Sequence, residues 1–384
     1  MSGGWHEEIV IVGGGLAGAS AACILADAGR SVLLLERDAQ PRHKVCGEFL
    51  SIEAQTYLSR LGIDLDGLGA SRISRLRLVR KRGATEVSLP FVARGLSRKV
   101  LDEALLVQAR SRGARIVRNE PVRSISFDRT TARFALAASR PIQADTVFLA
   151  SGKHDVRGVK RPTANTMGDL IGFKLHYRLA KSQQRALQGC VDVILFSGGY
   201  AGLQMIEKDI ANLCLVVSRQ RFDELGRRWD ALIAHMADEC PPLTERLQDA
   251  QPLFPRPSSI FQIPYGFLHA PDAREPQGLY RLGDQVGVIP SFTGEGMSIA
   301  LHSGCLAAAT YLSHGTASSI FHHRVRSDIG RSIRLASALN RTVRHEAGRH
   351  AVFHVSRIWP DAMRYVTSLT RVQEAAVARA LAPP

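Results

Sequence analysis

The first part of the chain alternates between short apolar runs and a glycine-rich turn. Residues 9–12 form a β-branched run that is typical of a buried parallel strand. Small, helix-forming residues follow at 19–27, and a second apolar run at 31–35 ends in Glu36. This order predicts a strand, a helix and a second strand, which is the β-α-β unit of a doubly wound sheet.

Further along the chain, the pattern predicts both helices and a group of strands. Helices are predicted at 51–61, 97–109, 223–239 and 296–312. Strands are predicted for a hairpin at 75–80 and 85–89, and for one sheet at 168–179, 191–196, 200–206 and 212–217. Residues 165–270 are therefore expected to form a separate β-rich module.

The turn after the first strand carries a G-x-G-x-x-G motif at Gly13, Gly15 and Gly18. The first glycine permits a tight turn, the second lets a pyrophosphate approach the backbone, and the third allows close packing of helix and sheet. The helix N-terminus favours phosphate charge, and Glu36 is placed to accept hydrogen bonds from ribose hydroxyls, which argues against an NADP 2′-phosphate. The predicted dinucleotide contacts are Gly13, Gly15, Leu16, Ala17, Gly18, Glu36 and Arg37.

Three further segments resemble a known family. They are Pro41-x-x-x-x-Cys46-Gly47, Arg98-x-x-Leu101-Asp102, and Gly283-Asp284 followed by Gly294-Glu295-Gly296. With the first motif, they resemble the para-hydroxybenzoate-hydroxylase-like flavoprotein superfamily over most of the chain, to about residue 312. The Cys46-Gly47 spacing is similar to that of the geranylgeranyl reductase branch.

The resemblance implies FAD as the bound cofactor. It implies that Asp284 accepts a ribityl hydroxyl, that the helix beginning at Gly296 faces the pyrimidine edge of the flavin, and that Arg98 lies near ribityl or phosphate groups. Cys46 would lie along the flavin and is the candidate catalytic residue, the alternative being a small buried hydrophobe. The implied contacts are Cys46, Gly47, Arg98, Gly152, Gly283, Asp284, Pro290, Gly294, Gly296 and Met297.

The chain departs from the family pattern at two places. Ser151-Gly152 stands where hydroxylases have Asp-Gly, which weakens the case for hydroxylase-type handling of NAD(P)H. The aromatic-x-Trp-x-Phe-Pro element of geranylgeranyl reductases has no tryptophan here, where residues 263–267 are Ile-Pro-Tyr-Gly-Phe and are expected to form the strand nearest the flavin. The candidate substrate contacts are Phe173, His176, Tyr265 and Phe267, with ordinary core packing as the alternative.

We therefore expect an α/β protein with a discontinuous Rossmann-type FAD-binding domain, an inserted antiparallel substrate sheet and a helical C-terminal tail. The predicted FAD-binding segments are 1–70, 98–162 and 276–340, the substrate segments are 71–97 and 163–275, and the tail is 341–384.

Charge and cysteine content refine this expectation. The formal net charge is +15, and residues 315–384 contain eleven arginines against four acids. Such a balance suits an acidic partner, but no nucleic-acid-binding motif accompanies it and no metal-ligand cluster is predicted.

The six cysteines lack a C-x-x-C pair and no basic leader precedes residue 9, which predicts reduced thiols in a cytoplasmic protein. The basic tail is either a helix packed on the FAD domain or a peripheral contact with an anionic membrane.

Several functions agree with these features. The first is a monooxygenase that uses NAD(P)H and O2 on a hydrophobic or aromatic small molecule, which the wider superfamily favours. The second is a geranylgeranyl reductase-like enzyme that reduces C=C bonds of a lipid-like substrate, and the third is a non-catalytic escort for a lipid-modified partner. Halogenation is disfavoured because Trp5, Trp229 and Trp359 supply no W-x-W-x-I-P element.

Overall fold

The computed structural model describes residues 5–163 and 166–382. The N-terminal residues 1–4, which entered the prediction that no leader is present, and residues 164–165 and 383–384 of the predicted segments lie outside this part of the chain. The strands are β1 (Trp5–Val12), β2 (Val32–Glu36), β3 (Phe49–Leu50), β4 (Ser71–Arg80), β5 (Gly83–Gly95), β6 (Arg115–Arg118), β7 (Ser124–Asp128), β8 (Arg133–Ala137), β9 (Pro141–Leu149), β10 (Leu170–Arg178), β11 (Gly189–Phe196), β12 (Gly199–Met205), β13 (Ala211–Ser218), β14 (Gln251–Pro252), β15 (Ser258–Phe261) and β16 (Leu279–Arg281).

The helices lie between and after these strands. They are α1 (Leu16–Asp27), α2 (Ile52–Arg60), α3 (Arg98–Ser111), α4 (Lys181–Leu187), α5 (Arg219–Glu224), α6 (Trp229–Glu239), α7 (Pro241–Leu247), α8 (Gly296–His314), α9 (Ser318–Val343), α10 (Glu346–Ile358), α11 (Pro360–Leu369) and α12 (Glu374–Leu381). In the described part of the chain, none of these helices combines the length and apolar character needed to cross a bilayer.

The first sheet has the order β6-β2-β1-β9-β8-β7, and β16 also pairs with β9. The pairs β1–β2, β1–β9, β2–β6 and β9–β16 are parallel. The apolar runs at β1 and β2 are buried on both faces, since helices cover one side and the β7–β8 hairpin packs with the other. The predicted Rossmann-type α/β unit is confirmed.

The second sheet has the order β14-β10-β13-β12-β11-β4-β5-β3, with β15 beside β10. Its neighbours are antiparallel except for β11 and β4, which are parallel. Its strands come from residues 49–95 and 170–261, so residues of the Rossmann unit separate the two parts along the chain. This confirms an extra, mainly antiparallel sheet and the C-terminal helices.

Two local predictions are wrong. The single helix expected at 223–239 is broken into α5 and α6, because Gly226 and Arg227 have left-handed backbone angles of +68° and +57°. Residues 263–267 do not form a regular strand; Gly266, with φ of +87°, turns the chain there. The N–H of Gly266 donates to the carbonyl of Val288, and the carbonyl of Phe267 accepts from the N–H of Val288, while the N–H of Phe267 donates to the carbonyl of Pro264.

Helices α1 and α8 pack unusually closely, which sets the position of both N-termini. A Cβ on Gly304 of α8 would lie 2.3 Å from the carbonyl oxygen of Ala17 in α1, so no larger residue fits there. A Cβ on Gly18 would lie 2.0 Å from the carbonyl oxygen of Gly13. The third glycine of the motif therefore has the close-packing role that its spacing predicts.

Candidate functional site

The glycine turn exposes the N-terminus of α1. The N–H of Gly13 donates to the carbonyl of Leu35 at 2.8 Å, and a Cβ at Gly13 would lie 2.4 Å from the oxygen of Ala150. A Cβ at Gly15 would instead point into the space bounded by the tips of Arg98 and Lys44, 3.4 and 3.7 Å away. Gly13 is thus required by the fold, whereas Gly15 leaves room for a ligand.

Glu36 closes the turn at the end of β2. Its side chain is buried, and its two oxygens accept hydrogen bonds from the N–H groups of Gly14 at 2.7 Å and Asp38 at 2.9 Å. Each carboxylate oxygen retains a further lone pair for a ribose hydroxyl. Arg37, predicted as a contact, lies at the outer edge, where its Nε is 3.7 Å from Asp38.

Two cations share one acid beside the N-terminus of α1. Arg98 binds Asp102 through Nε at 2.7 Å and Nη2 at 3.0 Å, and Lys44 Nζ lies 2.8 Å from the same carboxylate. Burial alone would raise the pKa of Asp102, but the two cations outweigh it and lower that pKa. One positive charge remains in excess at the helix N-terminus, which suits a pyrophosphate. Sequence reasoning missed Lys44, although it lies in the resembling segment.

The Cys46-Gly47 loop is held against the second sheet. Asn212 Nδ2 donates to the carbonyls of Cys46 and Gly47 at 3.1 and 2.9 Å, and Gln204 Nε2 donates to that of Glu48 at 2.9 Å. The half-buried Cys46 thiol accepts a hydrogen bond from the N–H of Glu48 at 3.4 Å. The loop therefore bridges the Rossmann unit and the second sheet.

Glu48 is the buried anchor of this loop, with a left-handed φ of +59°. Its carboxylate pairs with Lys174, bonds His176 Nε2 at 2.9 Å, and accepts from the N–H of Arg98 at 2.8 Å. Burial would raise the pKa of Glu48, but His176 and Lys174 overcome it and the pKa is lowered. His176, expected to contact substrate, is instead engaged with this anchor.

Phe173, the other substrate candidate on β10, lies on the wrong face. Its ring packs 4.9 Å from Phe222 and 5.7 Å from Trp229, in the core between the second sheet and α5–α6. Side chains alternate along a strand, so Phe173 points away from the face that carries Lys174 and His176. The expected substrate contact is corrected to a core residue.

A second turn brings Gly152 to Asp284. Gln285 Nε2 donates to the carbonyl of Gly152 at 2.7 Å, and the N–H of Gly283 donates to Ser303 Oγ at 2.8 Å. The buried Arg161 donates to the carbonyl of Asp284 at 2.8 Å and so fixes this turn. No motif marked Arg161 in the sequence.

The N-terminus of α8 forms the last part of the site. A Cβ at Gly294, whose φ is +73°, would lie 2.7 Å from the ring of Phe49, and Pro290 accepts hydrogen bonds from Thr293 just before it. Gly296 is exposed and Met297 is buried. Gly294 therefore allows the turn to pack against Phe49, whereas the backbone at Gly296 is exposed.

Open glycines occur in three of the segments predicted to hold the cofactor. An added Cβ would meet no atom within 4 Å at Gly47, Gly152 or Gly296. At Gly15, by contrast, a Cβ would lie close to the tips of Arg98 and Lys44. The candidate site thus combines uncovered backbone at three glycines with two cations beside the N-terminus of α1. These residues fit the extended, anionic FAD molecule.

A cluster of buried aromatic side chains lies beside the second sheet. The hydroxyl of Tyr265 is 3.2 Å from that of Tyr200 and 2.5 Å from Ser291 Oγ, and Phe292 packs edge-on against Tyr200 at 5.8 Å. Phe267 is buried in the same cluster. A cavity of about 320 Å3 opens next to Tyr200; Leu170 and Val216 line part of it, and most of its lining is polar or charged, including Asp169, Arg221, Glu224 and Arg344. Its size suits a small molecule.

Two histidine–glutamate groups in the described residues bring possible ligand atoms within 4.8 Å of one another. These groups are His43, Glu48 and His176, and His269, Glu275 and His322. Each carboxylate is already paired with a cation, Lys174 in the first group and Arg281 in the second. Both groups are therefore explained as buried ion-pair clusters.

Comparison with known proteins agrees with this architecture. A family profile for NAD(P)-binding Rossmann-like domains matches residues 11–59. The structure superimposes on the flavin-dependent brominase Bmp2 with a TM-score of 0.77 and 18% identity, covering 95% of this chain and 93% of that one. A flavoprotein/dehydrogenase from Cytophaga hutchinsonii gives 0.78 and 18%, covering 95% and 92%. The fold is therefore that of flavin-dependent enzymes.

Sequence relatives cover less of the chain. Menaquinone reductase from Mycobacterium tuberculosis is 29% identical over 160 residues, which are 40% of this chain and 39% of the relative. Squalene epoxidase 5 from Arabidopsis thaliana is 31% identical over 85 residues, 22% of this chain and 16% of the relative. The matches thus span well under two thirds of these relatives.

Proposed function

We propose that the protein is an FAD-dependent oxidoreductase with the site described above. The observation that carries the proposal is the turn at Gly15, where a Cβ would meet only the tips of Arg98 and Lys44, beside the buried Glu36. The open backbone at Gly47, Gly152 and Gly296, in the other segments predicted to hold the cofactor, supports it further. In this assignment, Arg98, together with Lys44, holds the pyrophosphate. Glu36 binds the adenosine ribose, and Asp284 binds the ribityl chain.

Bound FAD supplies two-electron redox chemistry, with NAD(P)H as the proposed electron donor. The chain's own residues bind and orient the cofactor and exclude water from its reactive face. The buried rings of Tyr265 and Phe267 supply an apolar wall. The hydroxyls of Tyr200, Tyr265 and Ser291 are hydrogen-bonded in series, and such a series can hold or relay a proton.

We favour a monooxygenase that acts with O2 on a hydrophobic or aromatic small molecule. The buried aromatic cluster of Tyr200, Tyr265 and Phe267 supports an apolar substrate, and the similarity to squalene epoxidase supports this reaction class. Reduction of C=C bonds is the alternative, which the Cys46-Gly47 spacing and the similarity to menaquinone reductase support.

The test begins with the purified protein supplied with FAD. Stoichiometric binding and reduction by NADH or NADPH are expected, and failure to bind FAD would favour the escort function. The reduced protein is then mixed with menaquinone, squalene or a simple phenol under 18O2. Incorporation of 18O into a product supports a monooxygenase, whereas reduction of a probe without O2 supports the reductase.

We further propose that the α10–α11 pair contacts an anionic membrane at its apex. Ile358 is 79% exposed, Trp359 60% and Tyr365 62%, and Arg357 and Arg364 lie beside them. Large exposed apolar side chains flanked by arginines suit a lipid interface with negative charge.

Only some residues of the basic tail at 341–384 belong to this exposed surface. Val352 and Met363 pack inward, while Val355 is exposed. Arg349 and Arg371 are buried, so they do not contribute to a basic face. Flotation with anionic vesicles at low salt should carry the protein, and Ile358→Ser with Trp359→Ala should abolish this. Equal flotation of the double variant would contradict the proposal.

A further inference from the structure

Lys153 holds an ammonium group inside the candidate cofactor site without a close counter-charge. The side chain is half-buried, and its Nζ donates a long hydrogen bond of 3.4 Å to the carbonyl of Val45. Within residues 5–163 and 166–382, no carboxylate oxygen lies within 4.0 Å of this nitrogen. Lys44 and Arg98, by contrast, both reach Asp102.

The backbone around Lys153 is fixed on both sides. Gln285 Nε2 donates to the carbonyls of Gly152 at 2.7 Å and His154 at 3.2 Å. Arg161 Nη2 donates to the carbonyl of Lys153 itself at 2.9 Å. Since Gln285 and Arg161 also hold the turn at Asp284, the lysine is built into the same framework as the predicted ribityl contact.

The surroundings of Lys153 keep it positively charged. Burial disfavours the ammonium form, but the carboxylate of Asp284 favours it and the pKa of Lys153 is raised. Asp284 belongs to the turn that Gln285 and Arg161 hold, and Val45, which accepts the hydrogen bond of Lys153, belongs to the Cys46 loop. The ammonium therefore lies where the segments assigned to the flavin end of the cofactor converge. A half-buried cation at this position is stabilised further when a bound group brings negative charge close to it.

We infer that Lys153 is the electrostatic partner of the negative charge that the flavin ring acquires on reduction. This inference rests on the proposed function. It assigns to Lys153 a different task from that of Lys44 and Arg98, which lie at the pyrophosphate. It also deepens the prediction for α8, because the helix N-terminus at Gly296 and the ammonium of Lys153 would act on the same charge.

Sulfite provides a probe that does not depend on turnover. It adds to the oxidised flavin ring and leaves a negative charge there, so its affinity reports positive charge near the ring. Lys153→Met should weaken sulfite binding by about tenfold or more and make the bound flavin harder to reduce, with little change in FAD affinity. Lys153→Arg should restore most of the sulfite affinity because it keeps the charge.

Lys160→Met removes an equal charge from an exposed position nearby and serves as the matched control. Unchanged sulfite affinity and reduction potential in Lys153→Met would overturn the inference. Weakened FAD binding with unchanged sulfite affinity would also overturn it, by assigning Lys153 to the phosphates. If Lys153→Met does not fold, Lys153→Gln answers the same question. Absence of FAD binding by the unaltered protein would overturn the proposed function, and this inference with it.

Discussion

Arg371 reaches from the segment between α11 and α12 to Glu53 on α2, where its Nε donates to the carboxylate at 2.7 Å. Both side chains are buried, and the guanidinium also stacks on the ring of Phe91 at 3.9 Å. The same arginine lies 3.7 Å from the buried carboxylate of Glu295, just before α8. The C-terminal segment is thus tied to the helix whose N-terminus borders the candidate flavin site.

Replacing Arg371 with Met should destabilise the protein strongly. The change leaves Glu53 and Glu295 buried without their cation, which typically costs about 3–5 kcal/mol. Urea unfolding measures the loss of free energy of unfolding. Arg274→Met is the control, because Arg274 and its partner Asp272 are both exposed and such pairs contribute about 0.2–1 kcal/mol. Equal losses in the two variants would contradict the buried role of Arg371.

Glu295 should make stability depend on pH. Burial raises the pKa of its carboxyl to about 7, Arg371 opposes the shift, and Glu53 adds to it. An acid whose pKa is higher in the folded state stabilises the fold while it is protonated. That contribution is full below the ordinary pKa of 4.5 and is lost as pH rises through about 7.

Unfolding free energies measured between pH 4.5 and pH 8 for the protein and for Glu295→Gln isolate this contribution. The difference should change across the range, with the glutamine variant gaining relative stability as pH rises. His322 acts oppositely, because burial lowers its pKa to about 3, but it is common to both proteins and cancels in the difference. A difference that is constant with pH would show that Glu295 does not titrate there.

Gly15→Val should remove FAD binding while it preserves the fold. The new side chain would occupy the space in front of Arg98 and Lys44, where the pyrophosphate is expected, and it meets no backbone there. Gly13→Ala should instead disrupt folding, because its Cβ would collide with the carbonyl oxygen of Ala150. Flavin absorbance after gel filtration and thermal unfolding separate the two effects. Stoichiometric FAD in a folded Gly15→Val protein would refute the site.

The parts of the site that could be predicted from sequence are those with local causes. The Gly13–Gly18 turn and Glu36 belong to one β-α-β unit, so spacing alone predicts their relation. Lys153 and Arg161 gain their roles from partners more than a hundred positions away, Val45 and Asp284 respectively. No local pattern encodes such contacts.

The error at Phe173 has a similar origin. Phe173 and His176 are three positions apart on β10, so alternation places them on opposite faces and the expectation that both contact substrate does not hold for one strand. The sequence pattern does not show which of the two faces is turned toward the Cys46 loop. The face of β10 that carries Lys174 and His176 is the one that packs against the Cys46 loop, because both side chains pair with the buried Glu48. The aromatic residue then packs under α5 and α6.

Cys46 offers the sharpest test of the reductase-like resemblance. Its backbone is fixed by Asn212 while its half-buried thiol remains in the loop beside the open Gly47. We expect Cys46→Ser to retain FAD but to change the turnover rate or the product distribution, since the thiol borders the predicted flavin face. Cys190→Ser and Cys305→Ser, at buried positions away from this loop, should leave both unchanged. Steady-state turnover with product analysis, beside the flavin spectrum of each variant, makes the comparison. If Cys46→Ser matches the unaltered protein in rate and product, Cys46 is a packing residue and the resemblance to the reductase branch loses its support at this position.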